Sequence, residues 1–273
     1  MPNWQYILNC LNAYRSAEID QRISPKDGMN DKWYFQAGKS AVESIALACL
    51  ASEVQEIRKV CDLPCGYGRV LRHLVQLFPQ ADFYACDLDA EGVDFCKTTF
   101  GARPVYSRAE LSEMDLGAGY DLIWVGSLFT HTSREVTRRW MAHLANSLSP
   151  QGLVVATVLG RWGQHTYQAF PYISEEKWKG ILQGYNESGY GYEDYPGSES
   201  SSRIAGSRGI SLVKPHVTIQ DLEDIPDIRI FHYQERGWAD HHDVVAFGRP
   251  GYTKPWPIML KKDRDVSVWT SPS

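Results

Sequence analysis

The sequence has no basic surplus: 28 Lys and Arg stand against 33 Asp and Glu, for a formal net charge of -5. Chains that bind nucleic-acid phosphates usually carry a basic face, so a polynucleotide partner is not expected. Long hydrophobic runs are also missing. No stretch approaches the ~18 apolar residues of a membrane span, and Met-Pro-Asn-Trp is not followed by a basic and then an apolar segment. A membrane partner is therefore not expected, and the cytoplasm is the expected location. The six cysteines, at 10, 49, 61, 65, 86 and 96, include no C-x-x-C pair, so zinc and dithiol chemistry have no motif to rest on. Most fall in apolar stretches, as reduced, buried thiols do. Internal repeats are absent.

What is present is ordinary globular material, 43% hydrophobic and 22% charged, in a length that suits one large α/β domain. Apolar residues at helical spacing (Trp4, Ile7, Leu8, Leu11, Tyr14) predict a leading helix within residues 3–23, and a second helix fits Trp33 to Ala51. Short apolar strands then alternate with helices. Strands are expected at Lys59–Leu63, Asp82–Asp87, Arg103–Tyr106, Tyr120–Val125 and Leu153–Leu159, the last after a turn at Ser149–Gly152. Helices are expected at Val70–Phe78, Ala90–Phe100 and Arg134–Ser147. Residues 161–210, rich in Gly, Ser and Tyr, break the rhythm and are read as a lid-like insertion. A short apolar run (Ile210–Val213), a helix near Thr218–Asp224 and two strands (Ile228–Gln234, Asp243–Phe247) follow. The expected organisation is a helical segment 1–57, a catalytic domain 58–250 holding the insertion 161–210, and a tail 251–273.

The most informative stretch is Asp62-Leu63-Pro64-Cys65-Gly66-Tyr67-Gly68, which leads from a strand into a helix. Glycine belongs where the backbone turns sharply and must lie against a ligand. Asp87 ends the next strand nineteen residues beyond Gly68, the spacing of an acid that binds ribose hydroxyls. Dinucleotide binding would need G-x-G-x-x-G, but counting from Gly66 the third glycine is Leu71, and from Pro64 it is Arg69. A nucleoside without a pyrophosphate fits better.

These residues resemble the class I S-adenosylmethionine-dependent methyltransferases, whose first motif has the form acid-x-Gly-x-Gly-x-Gly. Pro64 stands in place of the first glycine. The resemblance continues through Ala85–Asp89, Tyr120–His131 and Leu148–Val154. It implies a doubly wound, mostly parallel seven-stranded sheet with a final antiparallel strand. It further implies that Gly66 and Gly68 approach the cofactor backbone-first within the loop of Pro64 and Cys65, and that Asp62 orients that loop. Asp87, with Leu88 beside it, would meet the ribose, and Gly126, Ser127 and Leu128 would line the methionine side. Ser107–Glu110 offers no clear adenine-contacting acid. Tyr34 and Phe35 are candidates to cap the methionine end, or simply to pack.

If the last strand runs antiparallel, its start shares a rim with the ends of the parallel strands. Asp240–Asp243 would then meet Thr130–Thr132 and Gly160–Trp162. Histidine suits removal of an acceptor proton near neutral pH, which makes His131 and His242 the candidate bases; each is equally readable as a local hydrogen-bonding residue. His241 and His242, as neighbours on a strand, would point to opposite faces and could not readily share a metal. Arg161 is a candidate substrate anchor and Tyr192 a candidate substrate-stacking residue of the insertion. The expected activity is methyl transfer to an oxygen or nitrogen of a small molecule or glycan. A nicotinamide-dependent oxidoreductase and a non-catalytic cofactor-binding protein of the same fold are the alternatives.

Overall fold

The computed structural model describes residues 3–52, 54–196 and 206–249. Helices α1 (Asn3–Arg15) and α2 (Tyr34–Ala51) precede β1 (Lys59–Asp62), α3 (Leu71–Leu77), β2 (Asp82–Asp87), α4 (Ala90–Phe100), β3 (Arg103–Tyr106), β4 (Tyr120–Val125), α5 (Arg134–Asn146) and β5 (Leu148–Val158). Then come α6 (Gly163–Ala169), α7 (Glu175–Ser188), β6 (Tyr190–Asp194), β7 (Gly209–Val213), α8 (Pro215–Glu223), β8 (Arg229–Trp238) and β9 (His242–Gly248).

Seven strands form one sheet in the order β3-β2-β1-β4-β5-β9-β8. The first five are parallel, and β9 is antiparallel to both of its neighbours. Alternation along the central strands sends side chains to two cores. Val60, Leu122, Trp124, Leu153, Val155, Val244 and Ala246 join the face covered by α1 to α4, while Cys61, Ile123, Val125, Val154, Ala156, Val245 and Phe247 join the face covered by α5 and α8. Burial on both faces explains why these strands read as continuous apolar runs rather than alternating ones. Each of the larger aliphatic side chains among them contributes roughly 1.5–3 kcal/mol by leaving water.

Three boundaries differ from expectation. Helix α1 stops at Arg15, well short of residue 23, because the carbonyls of Asp20 and Arg22 bond instead to the buried Arg72 guanidinium, at 2.9 and 2.8 Å. Its apolar stripe is also only partly used: Ile7 is buried, whereas Trp4 and Leu8 are exposed. The expected turn at Ser149–Gly152 lies inside β5 as an irregularity between the Tyr120–Leu148 and Leu122–Leu153 pairs, where a Cβ on Gly152 would come within 2.2 Å of the Tyr120 carbonyl oxygen. The final hairpin is tighter than expected, since β8 runs on to Trp238 and reverses through Ala239 and Asp240, both at positive φ.

The insertion is a small folded layer. Strands β6 and β7 form their own antiparallel pair, and Leu159, Ile173, Trp178, Ile181, Tyr185, Ile210 and Leu212 make a separate core in which Tyr167 stacks on Trp178 at 4.1 Å. The tail expected at 251–273 and the polar run Gly197–Ser202 lie outside the described residues. No helix among the described residues is long and apolar enough to cross a membrane. All six cysteines are free, and all but Cys10 are buried.

Candidate functional site

At the carboxyl ends of β1, β2 and β4 a cleft of about 320 Å³ opens. Its walls include Asp62, Pro64, Cys65, Gly66, Asp87, Gly126, Ser127 and His131, which brings together most of the residues singled out by sequence. The loop after β1 is shaped by its glycines. Gly66 and Gly68 have φ of +49° and +76°, a region where side chains are disfavoured. They differ in what surrounds them. A Cβ on Gly66 would meet no protein atom within 4 Å, so its bare face fronts open space in the cleft. A Cβ on Gly68 would lie 2.4 Å from the Phe100 ring, so Gly68 is needed for packing beneath the loop. Gly92 was not singled out by sequence, yet a Cβ there would come within 2.5 Å of the Gly66 carbonyl oxygen; its absence lets α4 seat the loop.

Asp87 fastens the same loop, its Oδ2 accepting from the Gly66 amide at 2.7 Å and its Oδ1 from the Asp89 amide at 2.9 Å. Asp62 is buried at the end of β1, and its Oδ2 has no hydrogen-bond partner. Burial, with the charge of Asp87 second, holds its carboxyl well above the ordinary carboxylate range. Arg69, two residues after Gly66-Tyr67, lies 5.6 Å over the Trp238 ring and makes no ion pair or hydrogen bond with the described residues; burial pushes its pKa down. An unpaired buried acceptor, an unpaired cation and a bare glycine facing one cleft suit a ligand bearing both an amine and a carboxylate.

The remaining wall is supplied by Asp27, Met29, Tyr67, Val70, Trp124 and Trp238. Trp124 and Trp238 meet edge to face at 5.4 Å, and Trp238 donates its indole N–H to the Ala37 carbonyl. Gly126 is required there, because a Cβ would lie 2.7 Å from the Trp124 indole nitrogen. Ser127 holds a φ of +60° and donates its amide to Thr157 Oγ1 at 2.8 Å. Asp27 and Met29 arrive on the irregular segment 17–33, which Arg72 secures by donating to the carbonyls of Asp20, Arg22 and Gly68. Tyr34 is buried and donates to Asp27 Oδ2 at 2.7 Å, so it supports this segment rather than lining the cleft.

The antiparallel β9 does bring the start of that strand to the rim. His131 lines the cleft, and its Nδ1 lies 2.9 Å from the Gly209 carbonyl oxygen, which can only accept; Nδ1 therefore carries the proton. Nε2 has no partner among the described residues. Burial pushes the His131 pKa down, which favours the neutral ring. His242 packs against Trp238 and His241 and has a buried Nδ1 with no partner; burial first, then His241, His131 and Arg69, holds it well below the ordinary histidine range. Asp243 orients neither histidine. It accepts from the Tyr233 hydroxyl at 2.8 Å and the Arg236 amide at 3.0 Å.

Besides Gly68 and His242, four more candidates lie outside the cleft wall. Leu88 is exposed, and Leu128 packs against the core on the α5 side. Arg161 pairs with Glu235 at 2.6 Å on the exterior, and the Tyr192 hydroxyl donates to Asp194 at 2.6 Å within the insertion. Among the cleft residues that sequence reasoning missed, Arg69 was the most findable, as the residue directly after the glycine pair. Asp27 and Met29 carry no periodic signal. A further surface hollow beside Arg134, Arg138 and Arg139 offers no free charge, since these residues pair with Asp221, Asp224 and Glu110 at 2.7, 2.6 and 2.6 Å.

Comparison with known proteins agrees with this architecture. Residues 61–154, about a third of the chain, match a family described as a methyltransferase domain. No curated protein sequence matches. Among solved structures, the fold is similar to a protein from Pyrococcus horikoshii (11% identity, TM-score 0.54, covering 84% of this chain and 97% of that one). It is also similar to DesVI of Streptomyces venezuelae (16%, 0.52, 84% and 99%). A third is an S-adenosylmethionine-dependent methyltransferase from Clostridium acetobutylicum (13%, 0.51, 82% and 94%). At such identities the likeness speaks for the fold.

Proposed function

We propose that this chain, whose residues 61–154 match a methyltransferase domain, is a class I S-adenosylmethionine-dependent methyltransferase and that it methylates a hydroxyl of a small-molecule acceptor, with His131 as the base. The observation that carries this reading is the His131 ring. Its Nδ1–H is committed to the Gly209 carbonyl, which leaves a basic Nε2 on a residue that lines the cleft.

The cleft suits the cofactor. Asp62 Oδ2, an orphaned buried acceptor, would take the methionine ammonium, and Arg69 would take the carboxylate. The open face of Gly66 leaves room for close approach, and Asp87 would keep its bond to the Gly66 amide while offering its remaining lone pairs to ribose hydroxyls. When bound, S-adenosylmethionine supplies an electrophilic methyl group on a sulfonium centre, whose sulfur keeps the carbon–sulfur electron pair as the methyl leaves. His131 accepts at Nε2 the proton that the acceptor hydroxyl loses. Trp124 and Trp238 keep water from the reacting end, where alignment and a dry wall are what the protein contributes. His242 has its Nδ1 buried and no direct place in the wall, so its part is to support Trp238.

Two measurements test this. S-adenosylhomocysteine should raise the unfolding temperature while a nicotinamide dinucleotide does not; at a hundredfold excess over Kd the gain is about 2.7 kcal/mol. With labelled methyl donor and a panel of phenols and sugars, His131→Gln should lower turnover by about 10²- to 10⁴-fold with cofactor affinity nearly intact. Normal turnover in His131→Gln would remove the base and favour a neutral amine as acceptor.

A further inference from the structure

We infer that the inserted hairpin is part of the catalytic apparatus: it locks His131 as the Nδ1–H tautomer, with the Gly209 carbonyl as the positioning group and Ser211 and Tyr190 as the residues that seat it. The functional weight of this rests on the reading of His131 as base, but the geometry is independent of it. The segment 129–133, which follows β4, is laced to the hairpin along its length. The Ser211 hydroxyl donates to the Phe129 carbonyl at 3.0 Å, and the Tyr190 hydroxyl donates to the Thr132 carbonyl at 3.0 Å. The Ser133 amide donates to the Gly206 carbonyl at 2.7 Å. His131 sits between these clamps, facing Gly209.

Gly209 is itself held in place. A Cβ there would come within 2.1 Å of the Glu193 carbonyl oxygen and 2.7 Å of the Tyr192 ring, so β7 can approach β6 this closely only with glycine. Tyr192, anchored through its hydroxyl to Asp194, thus packs against Gly209, whose carbonyl accepts the hydrogen bond from His131 Nδ1–H. Tyr195 follows β6, and its hydroxyl oxygen lies 3.3 Å from the same Nδ1. Because Nδ1 carries hydrogen, that oxygen faces it as a second acceptor. Both contacts act on one nitrogen and leave the other as the lone-pair nitrogen, the arrangement a general base requires.

The main readout is the ring itself, which needs no acceptor. Full-length protein with nitrogen-15 histidine rings, loaded with S-adenosylhomocysteine, is observed by long-range proton–nitrogen correlation at neutral pH, with His131 assigned by its loss in His131→Gln. The expected spectrum shows a protonated Nδ1 and an unprotonated Nε2. Combining Ser211→Ala with Tyr190→Phe should move both nitrogens toward averaged positions and slow methyl transfer by about tenfold, with S-adenosylhomocysteine affinity unchanged. Should the pair fail to fold, Ser211→Ala alone is read in the same way. A proton on Nε2 in the wild type overturns the inference, as does a His131 spectrum that the seating substitutions leave unmoved. If the tautomer is as expected but His131→Gln turns over normally, the positioning is confirmed and the base assignment is what fails.

Discussion

At the end of β1 the carboxyl of Asp62 is buried beside Asp87, with Oδ2 bonded to nothing and its pKa raised. A carboxyl whose folded pKa lies above its unfolded value contributes stability that is full below the unfolded value and is lost as pH rises through the folded one. At neutral pH Asp62 therefore costs the empty protein stability, and a cationic ligand group relieves that cost. Asp62→Asn is expected to stabilise the unliganded protein by about 0.5 to 2 kcal/mol in urea unfolding at pH 7. The same change should weaken S-adenosylhomocysteine binding by about 1.5 to 3 kcal/mol in calorimetry. A variant that is both less stable and equally good at binding would show that Asp62 serves only the loop. Asp87→Ala should weaken binding over a similar range, partly by releasing the Gly66 amide it now holds. Both acids were legible in the sequence because a strand end and a fixed spacing marked them. Arg161 and Tyr192 had only residue type and neighbourhood to argue from. Neither says that Glu235 or Asp194 would stand within hydrogen-bonding distance.

The helices on the N-terminal side meet at His73. Its Nδ1 bonds to the Tyr14 hydroxyl at 2.7 Å, its Nε2 is buried without a partner, and the ring fills the space a Cβ on Gly38 would need, at 2.2 Å. Burial, with the Arg72 charge second, pushes its pKa down to about 4. The sign is opposite to that of Asp62: a histidine kept neutral by folding gives stability that is present above its unfolded pKa and is lost as pH falls toward the folded one. Between about pH 6.5 and pH 4, His73 should thus cost the wild type up to ~1.4 kcal/mol per pH unit. His73→Gln should be less stable at pH 7 but flatter across that window, and parallel urea-unfolding curves for the two proteins would contradict this. Gly38→Ala should destabilise by about 1 to 3 kcal/mol through overpacking. Strands and helices here were readable to within a residue or two wherever apolar periodicity and a cap coincided, as in α4, which starts after Asp89 and ends before Gly101 at positive φ. The segment 17–33 was not readable, because what shapes it is Arg72, some fifty residues away, bonding to its backbone carbonyls.

Across the whole molecule, the insertion stands as a second layer with a core of its own, fused to the rim by the contacts around His131. Its tyrosines divide accordingly. Tyr185 is buried in that core and Tyr190 anchors to Thr132, so cutting out residues 185–202 would remove structure as well as any lid. A finer probe is Trp178→Ala, which deletes one partner of the Tyr167 stack and should cost the layer about 3 to 5 kcal/mol. The expected outcome is loss of methyl transfer with S-adenosylhomocysteine binding retained, because the residues proposed for the cofactor lie on β1, β2 and the loops that follow them. Loss of both together, in parallel activity and calorimetric titrations, would show that layer and sheet fold as one unit. The composition of residues 161–210 pointed to an insertion, but its strands were harder to see. Aromatic residues interleaved with glycine fit a loop as well as a tightly packed hairpin, and only Gly209 and Gly191 pressed against neighbouring backbone decide it.

The place of β9 also bears on synthesis. It is the last described strand, yet it lies inside the sheet, filling the flank of β5 from Leu153 to Val158. While the ribosome is still making residues 159–241, that flank of β5, apolar and rich in β-branched residues, has no partner to close it. Unpaired edges of this kind recruit other chains. A chain terminated before His242, and so lacking β9, should therefore accumulate as aggregate, and the full-length protein should depend on holding chaperones during translation more than its final stability suggests.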